Sequence, residues 1–202
     1  MSLNTKNFVK TLIENKYTHL CVVPCSYAKD VINEAINNHS IEYLPAASEA
    51  VACSIAAGLK IAGKNPIVIV QSSGLTNIAS CITSLLKPYG ITFPILTSWR
   101  SYKEGDSEIQ HQHLATELPA LINAYGYKYH VLDNHDLNHS IAQINDCNKT
   151  HTICVIKNGT FDRVSLNQEH QLDLTGCIPR SEFLISLNEQ FKDKDVLFIG
   201  TT

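Results

Sequence analysis

Arginine, methionine and tryptophan are scarce in this chain, and long apolar runs are missing altogether. Its 202 residues include one Met, one Trp and three Arg, namely Arg100, Arg163 and Arg180. With no arginine cluster, no basic stripe and a formal net charge of −3, the chain lacks the surface with which a nucleic-acid binder tracks phosphates. No stretch of 18 uncharged apolar residues occurs, so no membrane span is expected. Asn4, Lys6, Asn7 and Lys10 interrupt the opening, which therefore does not read as a signal peptide. Also absent are the GxxxxGK[ST] phosphate loop, the HExxH zinc helix and the GxSxG nucleophile elbow. The seven cysteines are odd in number and include no CxxC pair, which argues against a disulfide framework and for reduced, mostly buried thiols in a cytoplasmic setting. Cys25-Ser26 has no base fixed beside it, so Cys25 reads as a buried thiol rather than a nucleophile.

What is present is regular. Hydrophobic residues make up 44% of the chain, enough for one substantial core. Short apolar runs at 19–24, 42–45, 67–70, 94–97, 127–132 and 152–157 read as strands. They alternate with amphipathic segments at 3–15, 28–37, 48–62, 77–86, 114–124 and 137–144 that read as helices, with Ser48 as the cap of the third. Pro119 is expected to kink its helix or delay its start. The run 67–70 is apolar on both faces, as a central parallel strand should be. The alternation predicts an α/β fold, an open parallel sheet with helices on both faces. Residues 98–112 read as a long strand-end loop and 158–180 as a linker. After the linker, Ser181 is expected to cap a helix over 182–191, and a strand over 195–199 runs into Gly200-Thr201-Thr202.

Three places carry possible chemistry. The run Gln71-Ser72-Ser73-Gly74-Leu75-Thr76-Asn77 follows the best strand, where an open sheet binds ligands, although Ser72 or Ser73 capping a helix would explain it as well. Glu49 opens an Ala-rich helix; the helix dipole favours a carboxylate there, and a half-buried one is also suited to giving or taking a proton. His111 and His113 flank Gln112 near Asp106 and Glu108, a grouping open to metal binding, to substrate binding or proton transfer, or to plain solvent exposure.

Taken in order, several short segments resemble the amino-terminal, pyrimidine-binding part of the phosphonopyruvate decarboxylases, within the thiamine diphosphate-dependent decarboxylase family. They are Val23-Pro24-Cys25-Ser26, Ala47 to Ala52 with Ala57-Gly58 and Ala62-Gly63, the run from Gln71 to Asn77, Trp99-Arg100, Gln110-His111, Lys157 to Phe161, and Pro179 to Glu182. The resemblance implies a thiamine diphosphate-binding fold, with residues 1–176 as the pyrimidine domain. Residues 177–202 would be the linker and opening helix–strand of a truncated diphosphate-binding domain. It implies Glu49 and His111 as catalytic residues, with Glu49 hydrogen-bonded to the cofactor pyrimidine. Gln71, Ser72, Ser73, Gly74 and Asn77 would line the cofactor, and Ser26 and His111 would meet the substrate. It implies thiamine diphosphate as cofactor, and Mg²⁺ held by ligands on the missing domain, since no GDG occurs here. The implied partners are a small 2-oxoacid, the diphosphate-binding domain of the same or a partner chain, and further copies in a homo-oligomer. The expected reaction takes 3-phosphonopyruvate to phosphonoacetaldehyde and CO₂. The rivals are an alpha-type subunit of sulfopyruvate decarboxylase and a noncatalytic assembly or regulatory domain. The chain departs from the family in having Gln71-Ser72-Ser73-Gly74 where Asn-Ser-Gly is common, and in lacking a Gly-Pro pattern over 101–109.

Overall fold

Six short strands rich in Val, Ile and Leu build one sheet: β1 His19–Val22, β2 Glu42–Pro45, β3 Pro66–Val70, β4 Ile95–Ser98, β5 Lys128–Val131 and β6 Thr152–Ile156. Their order is β2-β1-β3-β4-β6-β5 and every pairing is parallel. β3, β4 and β6 are buried along their whole length, which only a strand covered on both faces can be. In this computed structural model residues 2–167, 175–192 and 194 are described, and the chain divides into two compact units, Met1–Gln168 and Glu169–Thr202.

The helices of the first unit are α1 Thr5–Glu14, α2 Lys29–Asn37, α3 Glu49–Ile61, α4 Ala79–Cys81, α5 Gln112–Ala124 and α6 Leu137–Cys147. Alternate strand residues feed two separate cores, because successive side chains of a strand point to opposite faces. Leu20, Ile67, Ile69 and Leu96 pack with Phe8 and Leu12 of α1, Val31 of α2 and Ile144 of α6. Cys21, Val68, Val70 and Ile95 pack with Ala52 and Ala56 of α3, Ile82 beyond α4, and Leu118 and Ile122 of α5. The expected open parallel sheet with helices on both faces is therefore the observed one.

Four local features depart from the sequence reading. The helix expected over 77–86 starts late, at Ala79, and widens at once into a π-helix over Ile82–Leu86, where the Lys87 amide reaches the Ile82 carbonyl at 2.9 Å. Thr83 Oγ1 donates to the Ala79 carbonyl at 2.9 Å, and such back-bonding competes with the regular ladder. Pro119 does not delay α5, which starts at Gln112. Its missing N–H leaves the Ala115 carbonyl open, and Trp99 Nε1 donates to it at 2.9 Å. The first part of the expected linker is not a linker. Leu3 bridges Phe161, the Val164 carbonyl accepts from Asn33 Nδ2 at 2.7 Å, and the Val164 amide donates to Asp30 Oδ1 at 2.9 Å. Ser181 is not a cap. In the second unit α7 runs over Arg180–Phe191 with Pro179 as its N-cap residue, whose carbonyl accepts from the Phe183 amide at 3.0 Å. The strand expected over 195–199 lies outside the described residues.

Asp162 closes the return segment onto α1. Its Oδ1 accepts from the Thr5 amide at 2.7 Å and its Oδ2 from Asn4 Nδ2 at 2.9 Å. Partial burial opposes the charge, but the hydrogen bonds from Thr5 and Asn4 outweigh it and hold the carboxyl below its ordinary 3.8. A carboxylate with a lowered folded-state pKa stabilises the fold above its unfolded pKa and loses that effect as pH falls through the lowered value. Asp162→Asn is expected to cost about 1–2 kcal/mol in urea unfolding at pH 7, the scale of charge-assisted bonds discounted for solvent screening. The gap between mutant and wild type should shrink as the pH is taken below the carboxylate range, and a gap independent of pH would refute the assignment.

Candidate functional site

β1 leads to β2 on one side and pairs with β3 on the other, so the chain reverses its winding between β1 and β3. In an open parallel sheet the carboxyl ends of such strands flank a crevice that takes ligands. Three segments meet at this edge: the turn after β1, the N-terminus of α3, and the loop after β3.

Glu49 is the first residue of α3, placed by Ser48, whose side chain caps the helix by accepting from the Val51 amide. Its carboxylate crosses to the β3 loop, where Asn77 Nδ2 donates to Oε2 at 2.8 Å. The loop is a 3-10 turn over Ser72–Leu75, closed by the Gly74 amide on the Gln71 carbonyl at 2.8 Å and the Asn77 amide on the Gly74 carbonyl at 3.1 Å. A Cβ on Gly74 would lie 2.6 Å from Glu49 Oε1 and 2.7 Å from its Cδ, well inside contact distance. Any side chain at position 74 would have to displace the Glu49 carboxylate. One oxygen of Glu49 is pinned, and Oε1 takes no hydrogen bond among the described residues.

A second cluster, which sequence reasoning missed, is built around Arg100. Its side chain is 12% exposed and lies in the loop after β4. Nη1 donates to Gln71 Oε1 at 2.9 Å, Nε donates to Ser107 Oγ at 2.9 Å, and Nη2 pairs with Glu108 at 3.3 Å. The guanidinium also lies over the Tyr27 ring, 5.1 Å from its centre, and the Tyr27 hydroxyl donates to Asp106 Oδ2 at 2.8 Å. His111 Nε2 lies 3.5 Å from Glu108. Burial, and then the Arg100 charge, push the imidazole below its ordinary range, with Glu108 opposing them. The signal available in the sequence was rarity, since a chain with three arginines places one directly after a central strand.

The structure thus joins Glu49, Gly74 and Asn77 in one group. Gln71 serves the other, its Nε2 donating to Ser73 Oγ at 2.9 Å while its Oε1 takes Arg100. Ser72 is buried, with its amide 3.4 Å from Ser98 Oγ, whereas Ser73 is exposed. Ser26 is exposed at the start of the 3-10 turn Ser26–Ala28, and Cys25 beside it is buried. His111 belongs with Glu108 rather than with Glu49, and His113 is exposed on α5. Among the described residues no three His, Cys, Asp or Glu converge as a metal site, and no helix is long and apolar enough to cross a membrane.

Comparison with known proteins gives the family and the fold. Residues 5–120 match the family described as thiamine pyrophosphate enzyme, N-terminal TPP binding domain. The chain is 37% identical over 94 residues to phosphonopyruvate decarboxylase of Streptomyces viridochromogenes, a match covering 46% of this chain and 24% of that enzyme. It is 30% identical over 112 residues to sulfopyruvate decarboxylase of Methanosarcina acetivorans, covering 54% and 28% respectively. With sulfopyruvate decarboxylase subunit alpha of Methanocaldococcus jannaschii it shares 32% identity over 89 residues, 44% of this chain and 53% of the subunit. The chain thus spans about a quarter of the phosphonopyruvate enzyme and about half of the alpha subunit. The fold of a thiamine diphosphate-dependent 4-hydroxybenzoylformate decarboxylase from Rhodococcus jostii RHA1 covers 94% of this chain and 37% of its own, with a TM-score of 0.56 at 12% identity. A six-stranded parallel sheet in a chain that the family model matches over more than half its length has one reading: the chain belongs to the thiamine pyrophosphate enzymes, as an N-terminal TPP-binding domain.

Proposed function

We propose that this chain supplies the pyrimidine-binding part of a thiamine diphosphate-dependent 2-oxoacid decarboxylase, acting on 3-phosphonopyruvate to give phosphonoacetaldehyde and CO₂. The observation that carries this reading is the Glu49 carboxylate, fixed at Oε2 by Asn77 and pressed against Gly74 with Oε1 unengaged. That arrangement suits a pyrimidine ring nitrogen, which needs one positioned carboxyl oxygen and a backbone that comes close. When bound, thiamine diphosphate supplies the electron sink that loss of CO₂ from a 2-oxoacid requires. Glu49 would hold a proton at Oε1 against the ring, and Asn77 would keep the carboxyl from rotating. Gln71, Ser72 and Ser73 would line the same loop. His111, with Nε2 turned to Glu108, would offer Nδ1 for proton transfer at the substrate, with Ser26 nearby. Residues 1–176 would form the pyrimidine domain, and 177–202 would lead into the domain that holds the diphosphate and Mg²⁺. That domain would come from the same or a partner chain within a cytoplasmic homo-oligomer.

A second substrate is favoured by a specific observation, since sulfopyruvate decarboxylases match at 30% and 32% identity, close to the 37% of the phosphonopyruvate enzyme. Comparing kcat/KM for 3-phosphonopyruvate and 3-sulfopyruvate on the full enzyme decides between them. In that enzyme Glu49→Gln is expected to lower kcat for CO₂ release by about 10²–10³-fold, the usual value of a positioned proton-transfer group. Unchanged turnover would remove Glu49 from the mechanism. Gly74→Ala is expected to cost about 10²-fold in kcat with the fold intact by circular dichroism, because it displaces the carboxylate by roughly an ångström. His111 is expected to titrate below 6.5 by NMR, and Arg100→Met should raise that midpoint by removing the cation beside it. A midpoint unmoved by the substitution would show that Arg100 does not set it.

A further inference from the structure

A second cleft opens at the same edge of the sheet, beyond β4. It has a volume of about 540 Å³ and is lined by Tyr102, Lys103, Asp106, Lys157, Asn158 and Gly159, among others. Lys157 follows the last residue of β6, and Tyr102 and Lys103 lie in the loop after β4. β4 lies between β3 and β6, and neighbouring strands are about 4.8 Å apart, so this cleft lies roughly 10 Å along the edge from the Gly74 loop.

The charges around the cleft are unevenly matched. Arg100 is paired with Glu108 and bonded to Gln71, whereas Asp106 accepts from the neutral Tyr27 hydroxyl and keeps its charge, one carboxylate against two lysines. Neither Lys103 nor Lys157 has a carboxylate partner among the described residues. Lys157 is nevertheless held in place. Its Nζ sits 3.8 Å from the centre of the Tyr102 ring, and Tyr102 meets Trp99 edge-on at 4.9 Å. Trp99 is fixed in turn by its indole bond to Ala115 and by its amide, which donates to the Ile156 carbonyl at 2.8 Å. The backbone of Lys157 is locked as well. Its amide donates to Thr160 Oγ1 at 3.1 Å, the same hydroxyl donates to its carbonyl at 2.7 Å, and Gly159 takes a φ of +73° to close the turn. An ammonium over an aromatic face keeps N–H groups for an outside acceptor, and lysine binds phosphate-like groups as a point charge.

We infer that the Lys103–Lys157 cleft is a subsite for a tetrahedral oxyanion, taking the phosphonate or sulfonate end of the 2-oxoacid, away from the bond that breaks. The inference rests on the decarboxylase reading for the identity of the ligand, but not for its test. An anionic tail removed from water needs fixed positive charge, and Lys103 and Lys157 are two cations in this cleft that have no carboxylate partner among the described residues.

The test is a titration of methylphosphonate and, separately, methanesulfonate onto the 202-residue chain at constant ionic strength, read from the amide shifts of Asn158 and Gly159. Methylphosphonate is expected to give saturating shifts. Lys157→Met, which keeps an apolar stem on Tyr102, is expected to weaken binding by about tenfold or more, and Lys103→Met by several-fold. Lys64→Met, an exposed lysine elsewhere, is expected to change nothing. Binding of both probes supports a general oxyanion subsite, and binding of methylphosphonate alone assigns it to phosphonates. Absence of saturable shifts with either probe, or equal weakening by all three variants, overturns the inference. No cofactor or turnover enters this measurement, so its failure is distinct from a failure of Glu49→Gln to lower the rate of CO₂ release.

Discussion

A helix N-terminus and a loop can approach only as closely as their side chains allow, and at Glu49 that limit is set by Gly74. The carboxylate occupies the volume that any Cβ at position 74 would need. α3 can come this near because the face it turns to the sheet is small, with Ala52, Cys53, Ala56 and Ala57 all buried. The contact continues at Cys53 and Cys81, whose sulfurs are 3.0 Å apart and tie α3 to α4. Larger side chains along this seam would hold the helix off by an ångström or more and break the Asn77 hydrogen bond. The late start of the helix after the loop serves the same contact. Asn77 lies between the 3-10 turn and α4, and its side-chain Nδ2 reaches Glu49 across the gap.

Much of this was legible because it is local. Parallel strands between two helical layers must be apolar on both faces, and β3 announces itself in that way. Ser48 followed by Glu49 and an alanine-rich run states its cap and its helix without help from elsewhere. What escaped the sequence depends on partners far along the chain. Pro119 reads as a fault in α5 until Trp99, twenty residues earlier, supplies the donor that replaces the lost bond. Residues 158–167 are polar and carry a glycine, yet Asp162, Phe161 and Val164 each meet a residue of the first 33. The candidate site divides along the same line. Glu49 and Gly74 stand out by their position relative to a helix and a strand, whereas the Arg100 cluster draws on Tyr27, Gln71 and Ser107, which share no pattern.

That cluster also accounts for one of the few arginines. A guanidinium presents donors in fixed directions, and here Nε, Nη1 and Nη2 each meet a different residue. A lysine would place a single point charge there and would not hold three segments in register. The pairing with Glu108 adds little by itself. Glu108 is 44% exposed, and solvent screens such pairs strongly. The larger effect is positional, since one largely buried cation links the turn after β1, the loop after β3 and the loop after β4. Burial first, and then the same charge, discourage a positive charge on His111, so the ring that shares Glu108 stays neutral over a wider range of pH. Arg100 therefore contributes both to order in the loops and to the protonation state of His111. A change at Arg100 that loosened the edge would also shift the titration of His111, which separates this residue from a purely structural one.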